Sequence, residues 1–146
     1  MHVYLHVESE NNVFSSVLAL AAAISMGVTN PDVTQDTIQS TICKPGWTKT
    51  IRPSSYYTNA LKRKQMRERH IILPMREVEE NHIIPLELGG SKDDPANLEP
   101  EIMAGKYGAK AHDKIENKLN RKVCRGEMTL AQARIEIVTD WQKYVR

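Results

Sequence analysis

The segment from Asn81 to Asn97, NHIIPLELGGSKDDPAN, is what most restricts the folds open to this chain. Pro85, the Gly89-Gly90 pair and the Asp93-Asp94-Pro95 run forbid a continuous helix, because proline lacks the amide hydrogen a helix interior needs while glycine and aspartate favour turns. β-Branched residues gather around His82, so the region reads as a short strand carrying that histidine, a turn-bearing loop and the approach to a second short strand. The following SKDDPANLEPE reads as turn chemistry throughout.

Helices are expected on both sides. Thr58 to about Arg69 is free of breakers and rich in helix formers. From Ala109 to about Val123, the four-residue spacing of Ile115, Leu119 and Val123 makes one apolar stripe, with a stop near Gly126. TLAQ at Thr129 resembles a capping box and opens a last helix through Leu130, Ile137, Trp141 and Tyr144. Pro45-Gly46 and Pro53 make KPGWTKTIRPSSYYT a loop or a pair of short extended pieces. The fold class is therefore α+β: a mostly helical single domain around one small strand-bearing element that holds His82. At 146 residues the chain suits one domain and not two.

A net charge of +2 does not by itself mark a nucleic-acid binder, so local pattern must carry that question. The run LKRKQMRER places Arg63, Lys64 and Arg67, with Lys62 and Arg69, against a single Glu68. Such a run serves equally as a solvated helix face or as a contact to backbone phosphates. Cys43 and Cys124 form no CxxC pair, which excludes a zinc ribbon or thioredoxin-like motif and leaves one long-range disulfide open.

Val13 to Val28 is an uncharged run of sixteen residues, short of the roughly 20 that cross a bilayer comfortably. It suits the apolar part of a secretory signal, with small residues at Ala21 and Ala23 or at Ser25 and Gly27, so no stable membrane span is expected. The preceding twelve residues contain no Lys or Arg, which leaves a buried Ala-rich helix as the other reading. We take residues 1–28 as an apolar segment directing export and 29–146 as the folded domain.

Hydrolysis of a phosphodiester with one metal needs a base for water and a divalent cation held close to it. A strand end followed by a packed helix can supply both. His82 stands on the strand end beside Asn81, Asn97 lies in the loop, and AHDKIE brings His112, Asp113 and Glu116 to the start of a helix. His112 and Glu116 are four apart and Asp113 and Glu116 three apart, so either pair can share a face. Asp113 and Glu116 also suit the positive end of the helix dipole without any further role. His2, His6 and His70 have no partner pattern and read as surface residues, and Trp47 and Trp141 read as packing groups. Gly89-Gly90 lacks the Lys-Ser/Thr of a phosphate loop.

NHIIPLELGG, NLEPE, HDKIENKL and VCRGEMTLAQA, with the upstream TQDTIQSTICKPGW and SYYTNALKRKQM, resemble a group of small bacterial HNH-type endonuclease-like proteins. Their pattern is a DHIIPLELGG box, then NLWPE, a KDxLE helix and a VC-G segment, usually behind a secretion signal. The likeness spans roughly residues 30 to 144. It implies a ββα-metal (HNH-like) fold and hydrolysis of nucleic acid, DNA before RNA, with one divalent ion (Mg²⁺, Mn²⁺, Ni²⁺ or Zn²⁺) and no small-molecule cofactor. His82 becomes the general base and Asn97 the residue that fixes the loop and orients it. Asn81 becomes a metal ligand, with His112 or Asp113 on the helix. The resemblance also implies a Cys43–Cys124 disulfide and an exported protein; on this reading the basic run, with Arg63, Lys64 and Arg67, would contact the phosphates.

Three positions depart from the pattern. Asn81 replaces an Asp and offers a hard cation only a neutral carbonyl oxygen. Glu99 replaces the Trp of NLWPE. His112 replaces the Lys of KDxLE and adds an imidazole suited to Zn²⁺ or Ni²⁺. The alternative function is therefore a catalytically inactive scaffold of this type that binds nucleic acid or another partner.

Overall fold

The computed structural model describes residues 25–146; residues 1–24, with most of the apolar segment, lie outside the described residues. Four α-helices and two strands follow one another as α1 (Trp47–Ile51), α2 (Ser55–Glu68), β1 (Val78–His82), β2 (Leu98–Ile102), α3 (Ala109–Cys124) and α4 (Leu130–Thr139). The strands pair antiparallel, with His82 opposite Leu98, Asn81 opposite Glu99 and Val78 opposite Ile102. This is an α+β domain.

Each helix begins and ends for local reasons. The Ser54 hydroxyl accepts the Tyr57 amide at 3.3 Å and starts α2, three residues before the expected Thr58. The capping box at Thr129 and Gln132 is present in full and opens α4. After α3 the chain turns at Gly126, whose φ of +73° lies in the left-handed region, and the Glu127 amide returns to the Lys122 carbonyl at 2.9 Å. Helix α4 stops earlier than its sequence pattern predicts: it ends at Thr139, and Trp141–Tyr144 forms a separate 3-10 turn.

Two other expectations are revised. Trp47–Ile51 is a short helix where extended pieces were expected. Leu98–Ile102 is a strand although it contains Pro100 and reads as turn chemistry. In a two-stranded sheet both strands are edges, so a residue without an amide hydrogen is tolerated when that side of the strand faces away from its partner.

The core lies between α3, α4 and the turn at residues 86–88. Leu88, Leu119 and Ala133 are fully buried there, joined by Ile115, Val123, Leu130 and Ile137. Three positions of that set are the predicted stripe of α3, and a leucine as deeply buried as Leu119 stabilises by about 2 kcal/mol. Cys43 and Cys124 lie at disulfide distance, their Cα atoms 5.5 Å apart, and tie the chain before α1 to the end of α3. A cross-link closing so long a loop is worth about 2–4 kcal/mol.

On the other side α2 packs against both strands. Lys62 is buried, and its ammonium donates to the carbonyls of Met75 (3.0 Å) and Val78 (2.6 Å). Gln65 donates to the Leu98 carbonyl at 3.0 Å. One cation of the basic run therefore fastens the helix to the sheet, while Arg63, Lys64 and Arg67 remain on its solvent face.

Candidate active site

The loop between the strands is built around Asn97, which is wholly buried. Its Nδ2 donates to the carbonyls of Ile84 (3.0 Å) and Ser91 (2.8 Å), and its Oδ1 accepts the amides of Ile84 (3.0 Å) and Val28 (3.1 Å). Gly90 is required beside it, since a Cβ there would stand 1.7 Å from the Ile84 carbonyl oxygen. The Gly-Gly pair thus serves a close backbone approach. Residues 28–30 join the same construction, through Thr29 bridging to Gly90, the Ser91 amide bonding to the Val28 carbonyl at 2.7 Å and the Asn30 amide bonding to the Gly89 carbonyl at 2.9 Å.

This loop sets the chemistry of His82. Nε2 lies 2.9 Å from the Lys92 carbonyl, one residue beyond the Ser91 that Asn97 holds. A carbonyl only accepts, so Nε2 carries the proton and Nδ1 of the neutral ring keeps its lone pair. Burial lowers the His82 pKa, opposed by the bond to Lys92, so the ring favours the neutral form. Such a ring is a base ready to take a proton.

Beside His82 opens a cleft of about 680 Å³. Asn81, Glu79, Glu80, Glu87, Asp113 and Glu116 line it, as do the cations Arg52, Lys62 and Arg76. Arg52 pairs with Glu87 (3.6 Å), Arg76 pairs with Glu77 (3.7 Å), and Lys62 is committed to backbone carbonyls. Among the described residues, Glu79, Glu80, Asp113 and Glu116 form no ion pair. All four are raised from their ordinary values, in each case first through burial. Glu80 is pushed up to about 7. Glu79 is raised further by Asp113 and Glu101, and Asp113 by Glu101 and Glu87. Glu116, raised well above its usual value, feels Glu87, Asp113, Glu101 and Glu79 together.

The predicted site residues divide between this cleft and a second pocket. Asn81, His82 and Asp113 line the cleft. His112 lies in the other pocket with Glu99, Glu101 and Trp141, its ring stacked on Trp141 at 4.5 Å between centroids. Glu99 is paired there with Arg69 at 3.1 Å. Neither departure that adds a ligand-type side chain therefore lines the cleft. Asn81 stands between the two pockets. Its Oδ1 accepts the His82 amide at 2.9 Å, while Nδ2 donates to Glu101 (2.7 Å) and lies 3.0 Å from His112 Nδ1. The carbonyl oxygen expected to meet a cation is thus already bonded to the backbone. Positions 81 and 112, which depart from the resembled pattern separately in sequence, touch in space.

Of the cleft residues, Glu79, Glu80, Arg52 and Arg76 carry no recognisable local signal. Glu116 carries a partial one, its three-residue spacing from Asp113. Arg63, Lys64 and Arg67 do not line the cleft.

The cleft fits a divalent cation in its donor chemistry. Glu116 is 7% exposed and its Oε1 is buried without a hydrogen-bond partner. Buried carboxylates without ion pairs, with Glu116 raised further by Asp113 and Glu79, complement a bound positive ion. Among the described residues no three His, Cys, Asp or Glu side chains are grouped to hold a metal ion. A Mg²⁺-type ion does not need such a cage, because it binds through one or two carboxylates and completes its shell with water and substrate phosphate.

No family model, curated protein or solved structure matches the chain.

Proposed function

We propose that the protein is a metal-dependent nuclease of HNH type, exported from the cell, that hydrolyses phosphodiester bonds of nucleic acid with His82 as general base. The observation that carries this reading is the state of His82. Its ring is buried and its Nε2 proton is held by the Lys92 carbonyl, which leaves Nδ1 free beside an acid-rich cleft. In the reaction Nδ1 takes a proton from water, the water oxygen bonds to phosphorus, and the bond from phosphorus to the 3′-oxygen breaks. Asn97 positions the base through the loop that carries Lys92. Asp113, which faces the cleft from α3, belongs to the set that would hold a cation. Such a cation, when bound, supplies positive charge to the leaving oxygen.

Arg52 and Arg76 stand at the cleft with largely exposed side chains and suit the flanking phosphates; Arg63, Lys64 and Arg67 would extend that surface along α2. The disulfide pairing agrees with an oxidising compartment. Among the described residues no helix is long and apolar enough to cross a membrane.

Plasmid nicking by the full chain, with Mg²⁺, Mn²⁺, Ni²⁺ and Zn²⁺ in parallel, tests the proposal. His82→Ala is expected to lower a metal-dependent rate by about 10²–10⁴-fold, the usual contribution of a general base. Because burial lowers the histidine pKa, activity is expected to persist below the ordinary imidazole range. Folded protein that nicks with none of these ions would sink the reading. The engagement of Asn81 Oδ1 favours a second one, a non-cutting scaffold that binds nucleic acid, and retained binding without cleavage would support it.

A further inference from the structure

Helix α3 presents two faces to two different environments. At its first turns His112 faces Trp141 and Glu101, while Asp113 and Glu116, three residues apart and so on one face, reach the cleft. Glu116 is the more unusual of the pair. A carboxylate 93% shielded from solvent ordinarily has a partner for each oxygen, because burying an unpaired polar atom is costly. Its Oε1 has none, and the cleft cations Arg52, Lys62 and Arg76 are each engaged elsewhere.

We propose that Glu116 and Asp113 together hold a hard divalent cation, Mg²⁺ or Mn²⁺, in the cleft beside His82, and that Asn81 and His112 take no part in holding it. This deepens the nuclease reading, from which it takes the requirement for a cation. The donors are carboxylate oxygens, which suit Mg²⁺ and Mn²⁺ over Zn²⁺ and Ni²⁺. The imidazole of His112, which would have favoured the softer ions, lies in the other pocket. The contact between Asn81 and His112 then has a structural purpose: it joins the end of β1 to α3 and so sets His82 at a fixed distance from Asp113 and Glu116. An Asn at position 81 is therefore compatible with a working site.

The test is Mn²⁺ binding to the full chain without nucleic acid, read from the loss of the free-ion electron paramagnetic resonance signal and from the Mn²⁺-induced rise in melting temperature. Wild type is expected to bind one ion. Glu116→Gln should weaken binding by at least about tenfold, since it removes an anionic ligand from a hard-cation site. Asp113→Asn should weaken it in the same direction, and His112→Ala should leave it unchanged. Glu116→Gln keeps the shape of the side chain and removes a buried ionisable group, so its melting temperature without metal should equal or exceed that of wild type. If it fails to fold, Asp113→Asn decides. Wild-type affinity in both carboxylate variants, or loss of binding in His112→Ala, would overturn the assignment. Nicking separates the two claims. Mn²⁺ bound through Glu116 without nicking would sink the nuclease and spare the site, while metal-dependent nicking undiminished in Glu116→Gln would sink the site and spare the nuclease.

Discussion

The two pockets that meet at Asn81 are built from neighbouring residues of the same strands and the same helix, yet their polar groups are treated in opposite ways. In the pocket behind α3, Glu101 accepts from Asn81, Glu99 pairs with Arg69, and the His112 ring is covered by Trp141. Among the buried side-chain polar atoms of the described residues there, His112 Nε2 alone lacks a partner. In the cleft, Glu79, Glu80, Asp113 and Glu116 have no ion pair among the described residues, and their pKa values rise together. One side of the strand thus pairs its polar groups, while a few ångströms away burial holds carboxyl groups toward their protonated form. The contrast is what the proposed cation site rests on.

The largest stability change should come from the residue that organises the loop between the strands. Asn97→Ala removes both donors and acceptors that tie Ile84, Ser91 and Val28 together. It is expected to cost about 3 kcal/mol in urea denaturation, because several buried backbone groups lose partners at once. A cost below about 1 kcal/mol would mean that the loop holds itself.

The boundary between the pockets can be probed next. Asn81→Asp sets a carboxylate where an amide now donates to Glu101, and should destabilise by about 1–2 kcal/mol through repulsion at short range. Adding His112→Lys should recover much of that loss by placing a cation against both acids, and a double-mutant cycle would measure the coupling. Additive effects would show that the 3.0 Å approach of Asn81 to His112 has no energetic weight.

The pH response sharpens the contrast further. The cleft carboxylates bind protons more tightly in the folded chain than in the unfolded one, so their contribution to stability without metal falls as pH rises from the ordinary value of 4.5 through about 7, where Glu80 titrates, while His82, lowered by burial, acts in the opposite sense. Glu80→Gln should flatten that decline, and Mn²⁺ should oppose it most strongly at the upper end. Denaturation midpoints at several pH values, with chelator and with Mn²⁺, check the sign. The same pH dependence in wild type and Glu80→Gln would contradict the electrostatic picture of the cleft. The smallest effect should be on nucleic-acid affinity: Arg52→Ala and Arg76→Ala are each expected to reduce the salt dependence of binding by about one counterion. An equal or larger change from Arg63→Ala would move the interface onto α2.

Much of the scaffold was legible in the sequence because its causes are local. The stripe on α3, the capping box at Thr129 and the turn at Gly126 each depend on residues within a few positions of one another. Leu98–Ile102 and Trp47–Ile51 were not legible, because proline and turn formers dominate their local signal while pairing with β1 and surrounding contacts decide their form. The site divided along the same line. His82 beside a buried asparagine loop, with an acidic helix to follow, was readable as a spacing of chemical types. Which acids are left without partners was not.

What the amino-acid sequence determines by itself is therefore the list of parts: a histidine on a strand end, Asn97 to organise the loop, carboxylates three residues apart on a helix, and two cysteines. Only the tertiary structure decides that His112 turns toward Trp141, that Asn81 Oδ1 is spent on the His82 amide, and that Arg52 and Lys62 are bound elsewhere, leaving oxygens of Glu80 and Glu116 buried without partners. The reason is physical. Periodicity reports which residues share a face of one element, but whether a buried charge is met depends on groups brought in from distant parts of the chain, and those distances are set by packing.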